Sequence, residues 1–297
     1  MFGNKKLNKV SSIVFVICLN VLQLLQALSF LNKAPKENKW NSDIEKFIES
    51  CKILALRFDS TGFIVLYITF SSICAATVFL YIAFYDQVHS KNQNFSIFSL
   101  FLRFIEYFVF VLGFVPMASK FIEVQFCSDE YKVKNFSQVD CFKKDQMLML
   151  QIGFVCIGVT FVVNSIVIPA LRHERNGIEQ LWSKENYFEG LYYLLLFSAV
   201  SFIGFIEKPW VGILLCGLGY MYGIVFECYK SLWVACSRCA VLFSLAWAYT
   251  AAHILGFDSN TGNYFFYFIP AGYSIGFALR FLKGSLKNFR FNKVKSS

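Results

Sequence analysis

Arg103 and Glu106 stand three residues apart inside an otherwise apolar run from Phe95 to Met117. At that spacing two side chains share one face of a helix. A charge at the centre of a bilayer-spanning helix costs about 2.5–3.5 kcal/mol on insertion scales, so such a pair demands an explanation. Mutual neutralisation is the favoured one; an ion pathway would need further carboxylates or bases at similar depth, and none recurs. The run Cys236-Ser237-Arg238-Cys239 has the spacing of a redox or half-zinc motif, but zinc takes four ligands and no His or second close pair accompanies it. With Cys228, these thiols fall near an expected cytosolic helix end, where reversible palmitoylation occurs. Burial as small hydrophobes is the alternative. Three histidines, His89, His173 and His253, are scattered, and no phosphate loop, Ser/His/Asp arrangement or paired-carboxylate motif occurs. The expectation is a non-enzymatic chain with no cofactor and no metal.

Polar residues with a packing role are easier to find. Asn20, Gln23 and Gln26 recur every third residue in an apolar helix, a narrow stripe suited to interhelical hydrogen bonds and poorly suited to an ion site, since it lacks charge. Gly219-x-x-x-Gly223 and Gly272-x-x-x-Gly276 let helix backbones approach within the bundle or in a dimer. Pro270 removes a backbone donor and kinks the last span. Glu227 and Arg238 lie near expected helix ends and snorkel to the interface.

The elements that must position these residues follow from composition. Of 297 residues, 57% are hydrophobic and only 16% charged, against roughly 25% charged in soluble domains. The apolar residues come in long charge-free blocks, as lipid-embedded helices require and as strands of a closed barrel would not. About 20 residues cross the hydrocarbon layer. An all-α, polytopic transmembrane bundle of about eight spans, within a range of seven to nine, is expected: 11–31, 60–84, 95–117, 147–171, 190–206, 210–226, 232–257 and 264–281. Residues 1–10 form a basic N-terminus and 285–297 a basic tail. The first span has a basic flank and a cleavage-like Ala27-Leu28-Ser29, but its apolar run exceeds the roughly 7–15 residues of a signal peptide. Between 41 and 58, Ile44, Phe47, Ile48, Cys51, Leu54, Ala55 and Phe58 recur at steps of three and four. This is an amphipathic helix, lying in the membrane interface or folded against the bundle.

The net charge of +9 falls on segments between apolar blocks and on the tail, which favours membrane orientation over nucleic acid as its purpose. The acid-free tail, with Arg280, Lys283, Lys287, Arg290, Lys293 and Lys295, places both termini in the cytosol and attracts anionic lipids. The loop 118–145 then faces the lumen or exterior, of a plasma or internal membrane. It carries Cys127 and Cys141, a candidate disulfide in an oxidising compartment, with two unpaired thiols as the alternative. It also carries the sequon Asn135-Phe136-Ser137, a candidate glycosylation site. The sequon at Asn94 falls on the cytosolic side.

Two stretches carry a family likeness. Leu112-Gly113-Phe114-Val115-Pro116-Met117, continuing through Ile122-Glu123-Val124-Gln125-Phe126-Cys127 to Cys141-Phe142, resembles the membrane region of ciliate and other protist proteins of the tiny-macrocysts type. Val21 to Phe30 is similar to the Gln-bearing opening helix of that family. The resemblance covers about the first 170 residues and implies a membrane protein associated with signalling. Relatives of this type often carry cytosolic PAS sensor domains, for which the tail ending at Ser297 leaves no room. The resulting expectation is a receptor-like, sensor-associated or membrane-assembly protein, with a membrane protein or a second copy as partner; a transporter or channel is the alternative.

Overall fold

The computed structural model describes residues 5–33, 40–56, 60–83, 110–127, 131–133, 136–163, 186–204, 208–226 and 231–295. Arg103, Glu106, Asn135, Cys228, Glu227, His89 and His173 lie outside them. In chain order the elements are α1 (Lys5–Leu28), continued by a 3-10 turn (Ser29–Lys33), α2 (Ser42–Leu54), α3 (Ser60–Ala83) and α4 (Phe114–Glu123). A short hairpin follows, β1 (Lys132–Val133) and β2 (Phe136–Asp140), then α5 (Lys144–Val162), α6 (Asn186–Gly204) and α7 (Pro209–Val225). The chain ends with α8 (Leu232–Leu255), α9 (Ser259–Tyr267) and α10 (Ile269–Lys295).

Four of these helices are long and apolar enough to cross a membrane: residues Ile13–Leu31, Gly62–Leu80, Lys144–Val162 and Leu232–Leu255. The pair Ser259–Tyr267 and Ile269–Ser285, bent by 52°, makes a fifth if taken as one span, and Pro209–Val225 is apolar but shorter. The described chain is therefore all-α in class, with one short two-stranded antiparallel hairpin. The last span is not one rod: it breaks at Phe268, two residues before Pro270, whose ring and missing N–H disfavour a straight helix there. The stretch expected to be tail is helical through Lys295.

Burial separates centre from rim. In α8, 72% of the apolar window is buried, against 28% in α3 and 22% in α5; α8 is the hub and the other two are peripheral. α8 runs antiparallel to α7, because Gly219 opposes Leu242 and Gly223 opposes Cys239. It runs antiparallel to α10 too, with Gly272, Gly276 and Gly284 opposing Trp247, Phe243 and Leu232. α3 and α5 are parallel: Tyr67 donates to the Met149 carbonyl and Cys74 meets Cys156 and Thr160. The chain reverses at two ends. One holds α2, α4, the hairpin and α9, and the other holds the end of α7, the start of α8 and the end of α10.

Helix α2 folds against the bundle. Asn41 caps it, its Oδ1 accepting from Ile44 N at 3.0 Å, and Ile44, Ile48 and Cys51 are buried. Asn41 also bonds α9, accepting nothing further there but donating from N to Asn263 Oδ1 at 3.0 Å and from Nδ2 to Tyr267 Oη at 2.7 Å. Trp40 completes the joint, donating to the Leu31 carbonyl at 3.0 Å with its ring 5.1 Å from Phe266. Phe47 and Leu54 remain exposed.

Candidate functional site

The polar stripe of α1 faces α8. Asn20 Nδ2 donates to Ser237 Oγ at 2.9 Å, and Ser237 in turn lies 3.0 Å from Tyr273 Oη on α10. Gln23 Oε1 accepts from Arg238 Nη1 at 3.1 Å and from Tyr192 Oη at 3.3 Å. The Arg238 guanidinium also stacks over the Tyr192 ring, 3.9 Å from its centroid, and lies 5.4 Å from that of Tyr193. Asn20, Gln23 and Ser237 have no exposed surface, and Arg238 is 1% exposed.

Arg238 was expected at a helix end with its charge in the interface. It is the seventh residue of α8 on the face turned toward α1 and α6, so snorkelling is impossible. The guanidinium is instead held by an amide oxygen and two aromatic faces, the arrangement that makes a buried arginine tolerable. The signal for this site was in the sequence as the Gln23 and Arg238 side chains separately; nothing in either segment pairs them.

The same stripe serves a break in the third apolar run. The backbone turns at Leu112 and Gly113, and α4 restarts at Phe114 with Pro116 in its first turn, a position that needs no N–H. A break frees carbonyls that lipid cannot satisfy. Gln23 Nε2 donates to Val111 O at 2.8 Å, and Gln26 Nε2 donates to both Leu112 O and Leu54 O at 3.2 Å. The break before α10 is treated alike, Trp247 Nε1 donating to Phe265 O at 2.9 Å.

Residues 118–123, expected to open an external loop, belong to α4, whose ten residues are all buried. Within this stretch Lys120 and Glu123 form a buried ion pair at 3.0 Å, with Lys120 Nζ 5.0 Å from the Phe63 ring centroid. Beyond α4, Cys127 and Cys141 are joined, with Cα atoms 6.1 Å apart. Gln146 braces this bridge by donating to Val124 O at 3.0 Å while accepting from Phe142 N at 2.6 Å. On the exposed hairpin edge, Lys143 beside Asp140 holds that carboxyl below its ordinary range.

The remaining candidates fall in less reactive places. Cys236 and Cys239, read as candidates for palmitoylation, are 0% and 3% exposed inside α8, packed between helices as small hydrophobes. A Cβ on Gly223 would sit 2.7 Å from the Cys239 sulfur, and one on Gly276 would sit 2.8 Å from Phe243 Cβ. These two glycines set the approach of α7 and α10 to α8. Gly219 opposes Leu195 and Leu242, whereas Gly272 has ordinary contact with Trp247. His253 packs edge-on to Phe257. Among the described residues, no three His, Cys, Asp or Glu converge as a metal site requires. Arg280, counted with the basic tail, is 4% exposed and packed toward α8, where it interacts electrostatically with Cys236. Its Nε has no hydrogen-bond partner among the described residues.

Comparison of the chain with protein-family models, curated proteins and solved structures finds no match in any of the three.

Proposed function

We propose that this chain is a multi-pass membrane protein of about eight crossings with a non-enzymatic, receptor-like or membrane-assembly role. The helix directions support the count: α3 and α5 are parallel, as an odd number of crossings between them requires, and α7, α8 and α10 alternate. In this arrangement both termini are cytosolic and the Cys127–Cys141 hairpin, with the Asn135 sequon, is external. The likeness to tiny-macrocysts membrane regions belongs to the same proposal, as does a role in signalling.

One observation favours assembly over transport. Broken helices mark substrate sites in transporters because their freed backbone groups are offered to a ligand. Among the described residues the two breaks are occupied by protein donors, Gln23 and Gln26 at one and Trp247 at the other. The seam between α1 and α8 is accordingly dry and structural. Transport is the second reading, favoured by the 52° bend itself.

The two readings differ in water access. Cysteines introduced as Asn20→Cys and Ser237→Cys, treated in sealed vesicles with a membrane-impermeant maleimide and located by peptide mass spectrometry, should stay unmodified from both sides. Modification of either from one side would establish a water-filled path and reverse the preference.

A further inference from the structure

Residues Gly272, Gly276, Arg280 and Gly284 recur every fourth position on α10 and form one stripe. Three of the four are glycines facing α8: Gly272 in ordinary contact with Trp247, Gly276 close against Phe243 and Ala240, and Gly284 close against Leu232. Arg280 interrupts them, opposite Cys236, with glycine one turn away on either side. The stripe therefore brings two helix backbones together and sets a single arginine in the seam.

This arginine is 4% exposed. No ion pair or hydrogen bond ties its guanidinium to another described residue, and its Nε is buried without a partner. The carboxylates with described side chains lie on α2, on α4, at the hairpin, at the start of α5 and ahead of α9, all at the other end of the bundle. A buried cation left without a counter-charge is strongly unfavourable, so the site calls for an anion.

The depth of Arg280 indicates which anion. Cys236 is four residues, about 6 Å, inside the start of α8. Trp233, half exposed, lies 5.8 Å from Phe277 and 5.7 Å from Phe281, the position of an indole at headgroup level. Lys283, one turn beyond Arg280, is exposed and bonds the Ile224 and Val225 carbonyls that end α7. Ser231 leaves the first turn of α8 without a side-chain cap, so the positive end of that helix dipole faces the same region. A phosphate at this level meets a guanidinium fork, a helix N-terminus and an ammonium.

We propose that Arg280 anchors the phosphate of an anionic phospholipid in the seam between α8 and α10, a site distinct from the flexible attraction of a basic tail. The proposal rests on the membrane-spanning reading above and on no particular orientation of the chain.

The test uses the full chain, purified in detergent and examined by native mass spectrometry with phosphatidylglycerol, phosphatidylcholine or inorganic phosphate. Wild type should retain one phosphatidylglycerol in preference to phosphatidylcholine. Arg280→Gln should weaken that retention by roughly tenfold, as loss of a charge-assisted fork implies. A Lys287→Gln, Lys293→Gln variant should retain the lipid. Equal retention by Arg280→Gln, or its loss in the tail variant alone, would overturn the site. Inorganic phosphate occupying it as well as the lipid would overturn the lipid assignment. A photoactivatable headgroup probe on the wild-type chain needs no variant to fold: crosslinks should map to 232–238 or 276–284, and crosslinks confined elsewhere would sink the idea. A chain that purified without detergent would refute the membrane reading itself, whereas a detergent-dependent chain lacking the lipid refutes only this site.

Discussion

Gln23 Oε1 accepts from Arg238 Nη1 at 3.1 Å while the same side chain donates from Nε2 to Val111 O at 2.8 Å. One amide thus holds the charge of α8 and closes the break before α4. Between helices surrounded by lipid there is little hydrophobic driving force, so packing and hydrogen bonds of this kind set the arrangement.

Replacing Gln23 by Leu leaves the Val111 carbonyl and the guanidinium each short of a partner in a dry site. The loss should be about 2–4 kcal/mol, by the usual cost of unsatisfied buried polar groups. Thermal unfolding of the detergent-solubilised chain measures it. Combining Gln23→Leu with Arg238→Met should cost less than the two single changes together; strict additivity would mean that the residues do not interact.

Glycine substitutions should rank by what the new methyl meets. At Gly262 a Cβ would lie 2.6 Å from Leu255 Cα and 2.7 Å from Leu255 N, backbone atoms that cannot rotate away. Gly262→Ala should cost about 1–3 kcal/mol, the range for overpacking. At Gly219 the close atom is the movable end of Leu195, and at Gly217 nothing lies within 4 Å. Gly219→Ala should be milder, and Gly217→Ala neutral or stabilising by up to about 1 kcal/mol. Melting temperatures in one detergent test the order.

The Cys127–Cys141 bridge closes a loop with a sequence separation of 14. Replacing both cysteines by serine should destabilise the hairpin end by about 3 kcal/mol on loop-entropy grounds. Limited proteolysis should then cut faster between 128 and 140 than in the oxidised chain. Unchanged cleavage in the double variant would mean that Gln146 and the buried α4 hold the hairpin alone.

Asp258 caps α9, accepting from Asn260 N at 3.0 Å and from the Thr261 hydroxyl. The Thr261 hydrogen bond, followed by that of Asn260, lowers its pKa below the ordinary 3.8. The folded state binds the proton less readily than the unfolded one, so this contribution is complete above the unfolded value and is lost as pH falls through the lower folded value. Asp258→Asn retains an acceptor and should flatten that part of the acid stability profile. Parallel profiles for the two chains below pH 4 would refute the cap's role.

Burial pushes the Cys51 thiol up to about 11. Since the thiolate is the nucleophile, Cys51 should resist iodoacetamide at neutral pH in the folded chain and react once α2 is released. The raised value also means that its stabilising effect, present below the unfolded value of 9.0, disappears as pH climbs through about 11. Site-resolved alkylation against pH reads both effects.

Apolar length and hydropathy were sufficient to place the helices α1, α3, α5 and α8, because a segment that must satisfy its own backbone in lipid has to be long, apolar and helical. The periodicity of 41–58 likewise exposed the apolar face of α2, though not whether lipid or protein covers it. The spacing of Cys127 and Cys141, and the amide stripe Asn20, Gln23 and Gln26, were also visible as candidates.

What only the tertiary structure decided is where each charge goes. Arg238 and Arg280 sit near the ends of hydrophobic runs, and local sequence alone allows either to snorkel; burial follows from the helix that packs across from them, α1 for one and α8 for the other. Lys120 and Glu123 fall within the stretch 118–145 expected to be a loop, yet as an ion pair they lie inside α4. The helix breaks at Leu112 and Phe268 depend on donors from Gln23, Gln26 and Trp247, all distant in sequence or on another helix. Hydrophobic length is a property of one segment. A buried polar group is a property of two, and its partner becomes visible only once the helices have packed.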